Sequence, residues 1–436
     1  KSSDKGKSWK IINGDLPNKL LIWRLVQDYV NKNLLFAATE FGVYFTNNSG
    51  KNWIKLKGGM PTIPIRDIKI QRSENDLVAG SFGRGIFILD DITPLRTFNK
   101  NMMSTQATMF EVKDAHWYRE SSRVGSQGDS EWIAKNPPFG ANFTYFMPNK
   151  INSKKELRKA KEKKGNTQFP GWDALEEEGR EYGPSIMLVI KDNNGNVVNT
   201  IKGTNRKGFN RVNWRLNYPT KRGERLQSST RRGFNRGGGI MVTPGTYSVT
   251  LEKRVNGVHT TLQGPTNFEV VPLFDGTLPR KSNEVINNFR EDVTAFQQDL
   301  TSTNISLSRS LKTTNAMLRA LNKASRPTNE LFKKLNSTKI LLLTIDKELN
   351  GDSIKDEIGE RSNPSASDGG SIGWTAFGNT YGPTDEHIKL LNRVKSQLKK
   401  VKNKLYPIVN TTLPSIRNEL IKTGAPWIEG QGLIKD

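Results

Sequence analysis

Residues 34–56 read LLFAATEFGVYFTNNSGKNWIKL and residues 76–91 read DLVAGSFGRGIFILDD. In each, two short alternating runs meet at a glycine, FAATEFGVYFT in the first and LVAGSFGRGIFIL in the second. That is the pattern of neighbouring antiparallel strands joined by tight turns. The first run passes into Thr46, Asn48, Gly50 and Trp53, a turn of the form S/T-x-D/N-x-G-x-x-W. The same form occurs once before, in SSDKGKSW, as Ser2, Asp4, Gly6 and Trp9, with Ser8 beside the tryptophan. Trp9 and Trp53 lie 44 residues apart, and a repeat of that length in an all-β pattern predicts propeller blades.

The chemistry of the turn is readable from its residue types. An Asp or Asn side chain accepts hydrogen bonds from amides of its own turn, glycine takes the positive φ, and tryptophan packs between strands. Ser2, Asp4, Gly6, Trp9, Thr46, Asn48, Gly50 and Trp53 are therefore expected to build blades rather than to catalyse. The turn resembles the Asp-box, or BNR repeat, and the N-terminal stretch resembles the propellers of sialidases and of sortilin-type (VPS10-like) receptors. Bacterial sortilin-like proteins carry a T-H-G-R-G-type turn before an acidic pair and a Pro-Leu-Arg exit. Here Ser81, Phe82, Gly83, Arg84 and Gly85 precede Asp90 and Asp91, then Pro94, Leu95 and Arg96. Phe82 stands where that pattern has histidine, so no polar role is carried to it, and Arg84 is expected to pair with Asp90 or Asp91. NPPFGA at 136–141 and GAPWIEG around Trp427 extend the resemblance over nearly the whole chain. It is similar to the C-terminal part of such bacterial proteins, a kind often labelled glycosyl hydrolase or sialidase-like in Bacteroidota.

Two blades cannot close a propeller, which typically has about 4–8. Residues 1–98 are therefore expected to be the last blades of a larger one, completed by another chain or by a preceding segment that would also hold any export signal. Residues 99–280 keep a β pattern without the repeat. SIMLVIKDNNGNVVNTIKG predicts a hairpin turning at Asn194 and Gly195. Gly208, Asn210, Val212 and Trp214, with Pro244, Gly245, Thr246 and Tyr247, resemble the Ig-like module of flagellar hook-cap and other surface proteins. Six or seven short strands at this spacing support a sandwich independently. Two insertions interrupt it: 149–183, expected to be a solvated helix-loop excursion, and 222–239, a Gly-rich loop formally like an RGG element.

From 281 to 430 the apolar period lengthens to that of helices. Ile286, Phe289, Val293, Phe296, Leu300 and Leu307 form one stripe, continued after a slip by Leu311, Leu318 and Leu321. Leu331, Leu335, Leu342, Ile345 and Leu349 form a second, with Thr338 in its gap. Leu391, Val394, Leu398, Val401, Leu405 and Ile408 form a third. Pro327 is expected to open the second helix, Pro407 to kink or end the third, and Pro414 to begin a last short one. The architecture expected is an antiparallel helical bundle, with 351–383 a functional or disordered surface loop. The fold class is thus multidomain, mainly β and then α: propeller end, Ig-like sandwich, helical bundle.

Composition narrows function. The 436-residue chain has no cysteine, which removes disulfides, thiolate metal sites and thiol nucleophiles. The net charge of +24 favours anionic partners, but it is spread along the chain and no zinc-finger, KH or RRM signature accompanies it. Nucleic acid is therefore not the partner expected. His116, His259 and His387 lie in unrelated segments without metal-ligand spacing, and no G-x-S-x-G turn is present. Neither a cofactor nor a metal is expected, and no apolar run approaches the length of a transmembrane segment. The reading is a non-enzymatic binding or scaffold protein of the bacterial envelope or surface: periplasmic, on the outer membrane or secreted. Its partner would be a protein of an envelope complex, a glycan, or the rest of the same propeller. The candidate partner surface is the lysine face at Lys389, Lys395, Lys399, Lys400, Lys402 and Lys404. The alternative is a sialidase-like glycoside hydrolase whose active site lies in blades outside this sequence.

Overall fold

The computed structural model describes residues 1–120, 136–221, 223, 226, 239–360 and 364–432. Most of the Gly-rich stretch 222–239 lies outside the described residues. The chain is mixed β and α with several sheets and a helical C-terminal region. It divides into two compact units: Lys1–His116, Val124–Arg215 and Gly245–Val271 in one, Trp117–Arg123, Leu216–Pro244 and Pro272–Asp436 in the other.

The first unit begins with two antiparallel meanders. Strands β1 (Ile22–Gln27), β2 (Leu35–Thr39), β3 (Gly42–Thr46) and β4 (Ile54–Lys55) form one sheet in that order. Strands β5 (Ile65–Gln71), β6 (Asp76–Ser81) and β7 (Ile86–Leu89) form the next, followed by the short helix α1 (Thr93–Thr97). The glycine expected between β2 and β3 is Gly42 at φ +108°, paired with Thr39. Strand β2 is buried at every position. Phe36 and Ala38 face a core shared with Val43, Ile65, Ile68, Leu77, Ile92 and Leu95, whereas Leu35 and Ala37 face Trp53, Ile12 and Leu16. The sheet of β5–β7 gives one face to the shared core and leaves Ile86 and Ile88 on the other exposed.

A buried ion pair ties the connections of both meanders together. Asp28, just after β1, accepts from Arg96 Nε and Nη2, each at 2.9 Å, and from the Asn31 amide at 2.7 Å. Arg96 also donates to Asn75 Oδ1, at the β5–β6 turn, at 2.8 Å. With two charge-assisted bonds and a third donor, the carboxylate is compensated for leaving water.

The rest of this unit follows: β8 (Thr108–Met109), β9 (Ala115–Trp117), β10 (Ala141–Met147), helices α2 (Lys154–Glu162) and α3 (Trp172–Arg180), β11 (Ser185–Asp192), β12 (Val197–Lys202), β13 (Gly208–Trp214), β14 (Gly245–Val255) and β15 (Val258–Pro272). Their orders are β13-β10-β8 and β12-β11-β14-β15-β9. Aromatic side chains join the two sheets: Phe143 with Phe268 at 5.5 Å, and Trp214 with Tyr247 at 5.7 Å. The β11–β12 hairpin turns where expected, with Gly195 at φ +81° and Asp192 accepting from the amides of Asn194 and Asn196. The insertion at 149–183 is more ordered than a helix-loop excursion, because a second helix, α3, forms and Arg158 of α2 pairs with Glu178 at 2.7 Å.

The second unit holds α4 (Asn283–Leu321), α5 (Asn329–Asn350), α6 (Ser353–Glu357), α7 (Ile372–Phe377), α8 (Asp385–Pro407) and α9 (Leu413–Lys422). Ser282, Thr328 and Thr384 cap α4, α5 and α8 by accepting an amide in the first turn. All residues of the second and third predicted stripes are buried, as is most of the first, and Leu311 and Leu318 pack against the same core. Asp292–Lys395 and Asp299–Lys402 advance in step along α4 and α8, so these run parallel. Glu348–Lys404 and Lys334–Glu419 advance in opposite senses, so α5 runs antiparallel to the α8–α9 rod. Pro407 does not end the rod: a π-helical segment, Ile408–Thr412, carries it into α9, widening the turn where proline removes a donor. The stretch 351–383, expected to be a surface loop, instead supplies core through Ala366, Ile372, Ala376 and Phe377, while 361–363 lie outside the described residues. Helical spacing in SIGWTAF explains this, since Ile372, Ala376 and Phe377 share one face.

Asp28→Ala should strand the Arg96 guanidinium and lower unfolding free energy by about 3–5 kcal/mol. Urea unfolding followed by tryptophan fluorescence checks this; a loss below about 1 kcal/mol, the value of an exposed pair, would refute the assignment.

Candidate interaction surface

The two predicted turns share one hydrogen-bond scheme. Ser2 Oγ donates to Asp4 Oδ1 at 2.8 Å and accepts from the Gly6 amide at 2.7 Å, while Asp4 Oδ1 accepts from the Ser8 amide at 2.9 Å. Thr46 Oγ1 donates to Asn48 Oδ1 at 2.8 Å and accepts from the Gly50 amide at 3.0 Å, while Asn48 Oδ1 accepts from the Asn52 amide at 3.0 Å. Gly6 and Gly50 sit at φ +92° and +85°. Asp4 also accepts from the Ser8 hydroxyl at 2.6 Å, and the donors of Ser8, then Ser2, hold its carboxyl down at about 2.

The tryptophans differ. Trp53 is 8% exposed, because residues 12–16 lie over it: its indole nitrogen donates to Ile12 O at 3.0 Å and its amide to Asp15 Oδ1 at 2.6 Å. Asn52 donates to Asp15 as well, and these bonds, the Trp53 amide first, lower the Asp15 carboxyl. Trp9 is 77% exposed, contrary to the expectation that it packs between strands. No strand is assigned before Ile22, so Trp9 has no pair of strands to fill.

Along β1 and β5 the structure brings together residues that spacing did not link. The Arg66 guanidinium lies 3.7 Å from the Trp23 ring centroid and 5.1 Å from that of Phe82. The tight turn after β6 sets Phe82 there: Ser81 Oγ donates to Gly85 O at 2.7 Å and the Phe82 amide to Pro64 O at 2.9 Å. Tyr29 similarly meets Arg72 and Arg96. The only sequence signal was aromatic and arginine content in strands, since the members are distant in the chain. Among the described residues Arg84 forms no ion pair with Asp90 or Asp91; Arg211 meets that pair instead, donating to their backbone oxygens at 2.8 and 3.2 Å. The Asp91 carboxylate is turned to another donor, accepting from the Thr93 amide at 3.0 Å.

The lysine face of α8 is divided. Lys395, Lys402 and Lys404 pair with Asp292, Asp299 and Glu348 of the neighbouring helices, and Lys389 pairs with Glu386. Only Lys399 and Lys400 of the six have no ion pair among the described residues, and half of the face, Lys395, Lys402 and Lys404, is engaged with neighbouring helices. Lys400 lines an open depression of about 350 Å³ with Lys347, Asp352, Lys355 and Gln397. Among the described residues no group of three or more His, Asp or Glu side chains is placed to hold a metal ion, and no helix is long and apolar enough to cross a membrane.

No protein-family model matches the chain, and no curated protein matches it. Among solved structures, the extracellular domain of a one-component system from B. thetaiotaomicron aligns at 9% identity and TM-score 0.16. The extracellular domain of a hybrid two-component system from the same organism aligns at 10% identity and TM-score 0.14. Each alignment covers 58% of this chain and 26% of the other, so the chain spans about a quarter of those structures. Likeness at that level carries no argument about fold or function.

Two predictions follow from the turns. The Asp4 carboxyl carbon should titrate by NMR with a midpoint of about 2, rising toward 3.8 in Ser8→Ala. With the folded value depressed, the stabilising effect is complete above the ordinary aspartate range and is lost as pH falls toward about 2; an unshifted midpoint would contradict this. Asn48→Ala should cost about 1 kcal/mol of stability. Gly50→Ala should cost more than Asn48→Ala, because its Cβ would lie 2.4 Å from Ile12 O at a φ of +85°. Thermal melts of both variants give the order.

Proposed function

We propose that this chain is a non-enzymatic binding and scaffold protein of the bacterial cell envelope or surface, acting outside the cytoplasm through protein–protein contacts. In this reading the two meanders are the closing blades of an Asp-box propeller of the sortilin (VPS10-like) kind, followed by an Ig-like sandwich and a helical bundle. Supporting the blade reading is the hydrogen-bond scheme common to the turns at Ser2–Trp9 and Thr46–Trp53.

The observation that carries the binding function is the difference between the two sheets. Strand β2 is covered on both faces, whereas β5–β7 is covered on one, leaving Ile86 and Ile88 at 69% and 59% exposure on the other. A β-element of a partner laid there would gain on the order of 1–2 kcal/mol from each isoleucine. The Trp23–Arg66–Phe82 stack, close to the same sheet, would add a desolvated cation–π contact. Non-obligate interfaces commonly combine an apolar centre with aromatic and arginine residues.

A photo-crosslinking residue at Ile88, with Lys399 as the comparison, tests this in the native envelope. Efficient crosslinking at 88 to a discrete protein segment is expected. Crosslinks from 399 with none from 88 would move the partner to the helical unit and overturn the assignment.

A further inference from the structure

The helical hairpin formed by α2 and α3 buries none of its helical residues, yet it is tightly organised. Arg158 donates to both oxygens of Glu178, at 2.7 and 3.0 Å, and Lys154 of the first turn of α2 pairs with Glu177 near the end of α3 at 2.6 Å. The Lys154 amide also donates to Glu181 at 2.8 Å, so from Lys154–Glu181 to Arg158–Glu178 the contacts advance in opposite senses and the helices are antiparallel, with residues 163–171 at the far tip. The base is fixed to the β-sheets: Asn205 exchanges hydrogen bonds with the Ile151 backbone, and Arg254 lies 4.5 Å from the Tyr182 ring centroid.

The tip has its own composition. The Pro170-Gly171 turn, with Gly171 at φ +92°, sets Phe169 and Trp172 side by side with ring centroids 5.2 Å apart and planes at 70°. They are 58% and 75% exposed. Lys159 and Lys161 in the last turn of α2, and Lys163 and Lys164 just after it, are exposed and without an ion pair among the described residues. Of the acids of α3, Glu176, Glu177 and Glu178 are paired with Arg180, Lys154 and Arg158, which leaves Asp173 beside Trp172 as the acid at the tip against four lysines. Two apolar rings at a projecting turn, beside unpaired lysines, match an interface that is anionic outside and apolar a few ångströms in.

We infer that this hairpin tip docks onto an anionic lipid surface, Phe169 and Trp172 entering the headgroup layer and the lysines meeting lipid phosphates and carboxylates. Charge complementarity selects the occupant, and ring geometry separates it from nucleic acid. Stacking on bases needs open ring faces along a basic groove; here the rings pack edge to face on a protruding turn.

The absence of cysteine allows a single probe. In the full chain, Thr167→Cys carrying a polarity-sensitive fluorophore is mixed with phosphatidylcholine vesicles with and without phosphatidylserine. The emission should shift to the blue with phosphatidylserine only, and Asn196→Cys on the β11–β12 turn should show no shift. In sedimentation, Phe169→Ser/Trp172→Ser and Lys161→Gln/Lys163→Gln/Lys164→Gln should each weaken vesicle binding about tenfold or more, with unchanged melting temperature. Raised salt should weaken binding further. Equal binding by wild type and variants, no vesicle binding, or binding of a single-stranded oligonucleotide in its place with the same sensitivity to the variants would each overturn the inference.

Discussion

Trp53 reaches back over its own turn to close the outer face of β2, its indole hydrogen-bonded to Ile12 and its amide to Asp15. That contact makes the strand a buried central one, because Leu35 and Ala37 would otherwise face water while Phe36 and Ala38 fill the core on the other side. A strand covered on both faces has one register that satisfies both apolar sets. Register in turn fixes Thr39 opposite Gly42 and delivers Thr46 to the turn that positions Trp53. Gly50 completes the circuit: a side chain there would strike the Ile12 carbonyl, so the covering segment could not approach. The Asp28–Arg96 pair then holds the first meander to the end of the second.

The same physics explains why the second meander is left open. Its inner face joins the shared core through Ile65, Ile68 and Leu77, but among the described residues no segment equivalent to residues 12–16 crosses its other face and β7 has β6 as its only strand neighbour. An edge strand with exposed isoleucines and no lysine of its own lacks the usual protections against pairing. Charge is handled differently in the helical unit, where Lys395, Lys402 and Lys404 meet acids of adjacent helices. Much of what the sequence presents there as a basic face is the outer seam of a bundle, worth little per pair but fixing which helices adjoin.

Local rules carried far wherever partners were near in sequence. The helical stripes and the Asn194-Gly195 hairpin are short-range patterns, and the structure holds them as read. Legibility failed where a residue's environment is set by distant chain. Trp9 and Trp53 have the same local motif, yet only Trp53 has a covering segment. Trp23, Arg66 and Phe82 are joined by sheet geometry alone, and Lys402 could not be seen as a partner of Asp299 before helix register was known. In 351–383 glycine and serine suggested a loop, whereas Ile372, Ala376 and Phe377 drew it into the core.

We propose that the open face and edge of β5–β7 are covered when the protein is at work. Hydrogen–deuterium exchange of the peptide spanning residues 82–90 tests it most directly, comparing the isolated chain with the protein in its native assembly. The outward amides of β7 should exchange rapidly in the isolated chain and slow markedly in the assembly, with β2 slow in both. Equal rapid exchange of this peptide in the two states would contradict it.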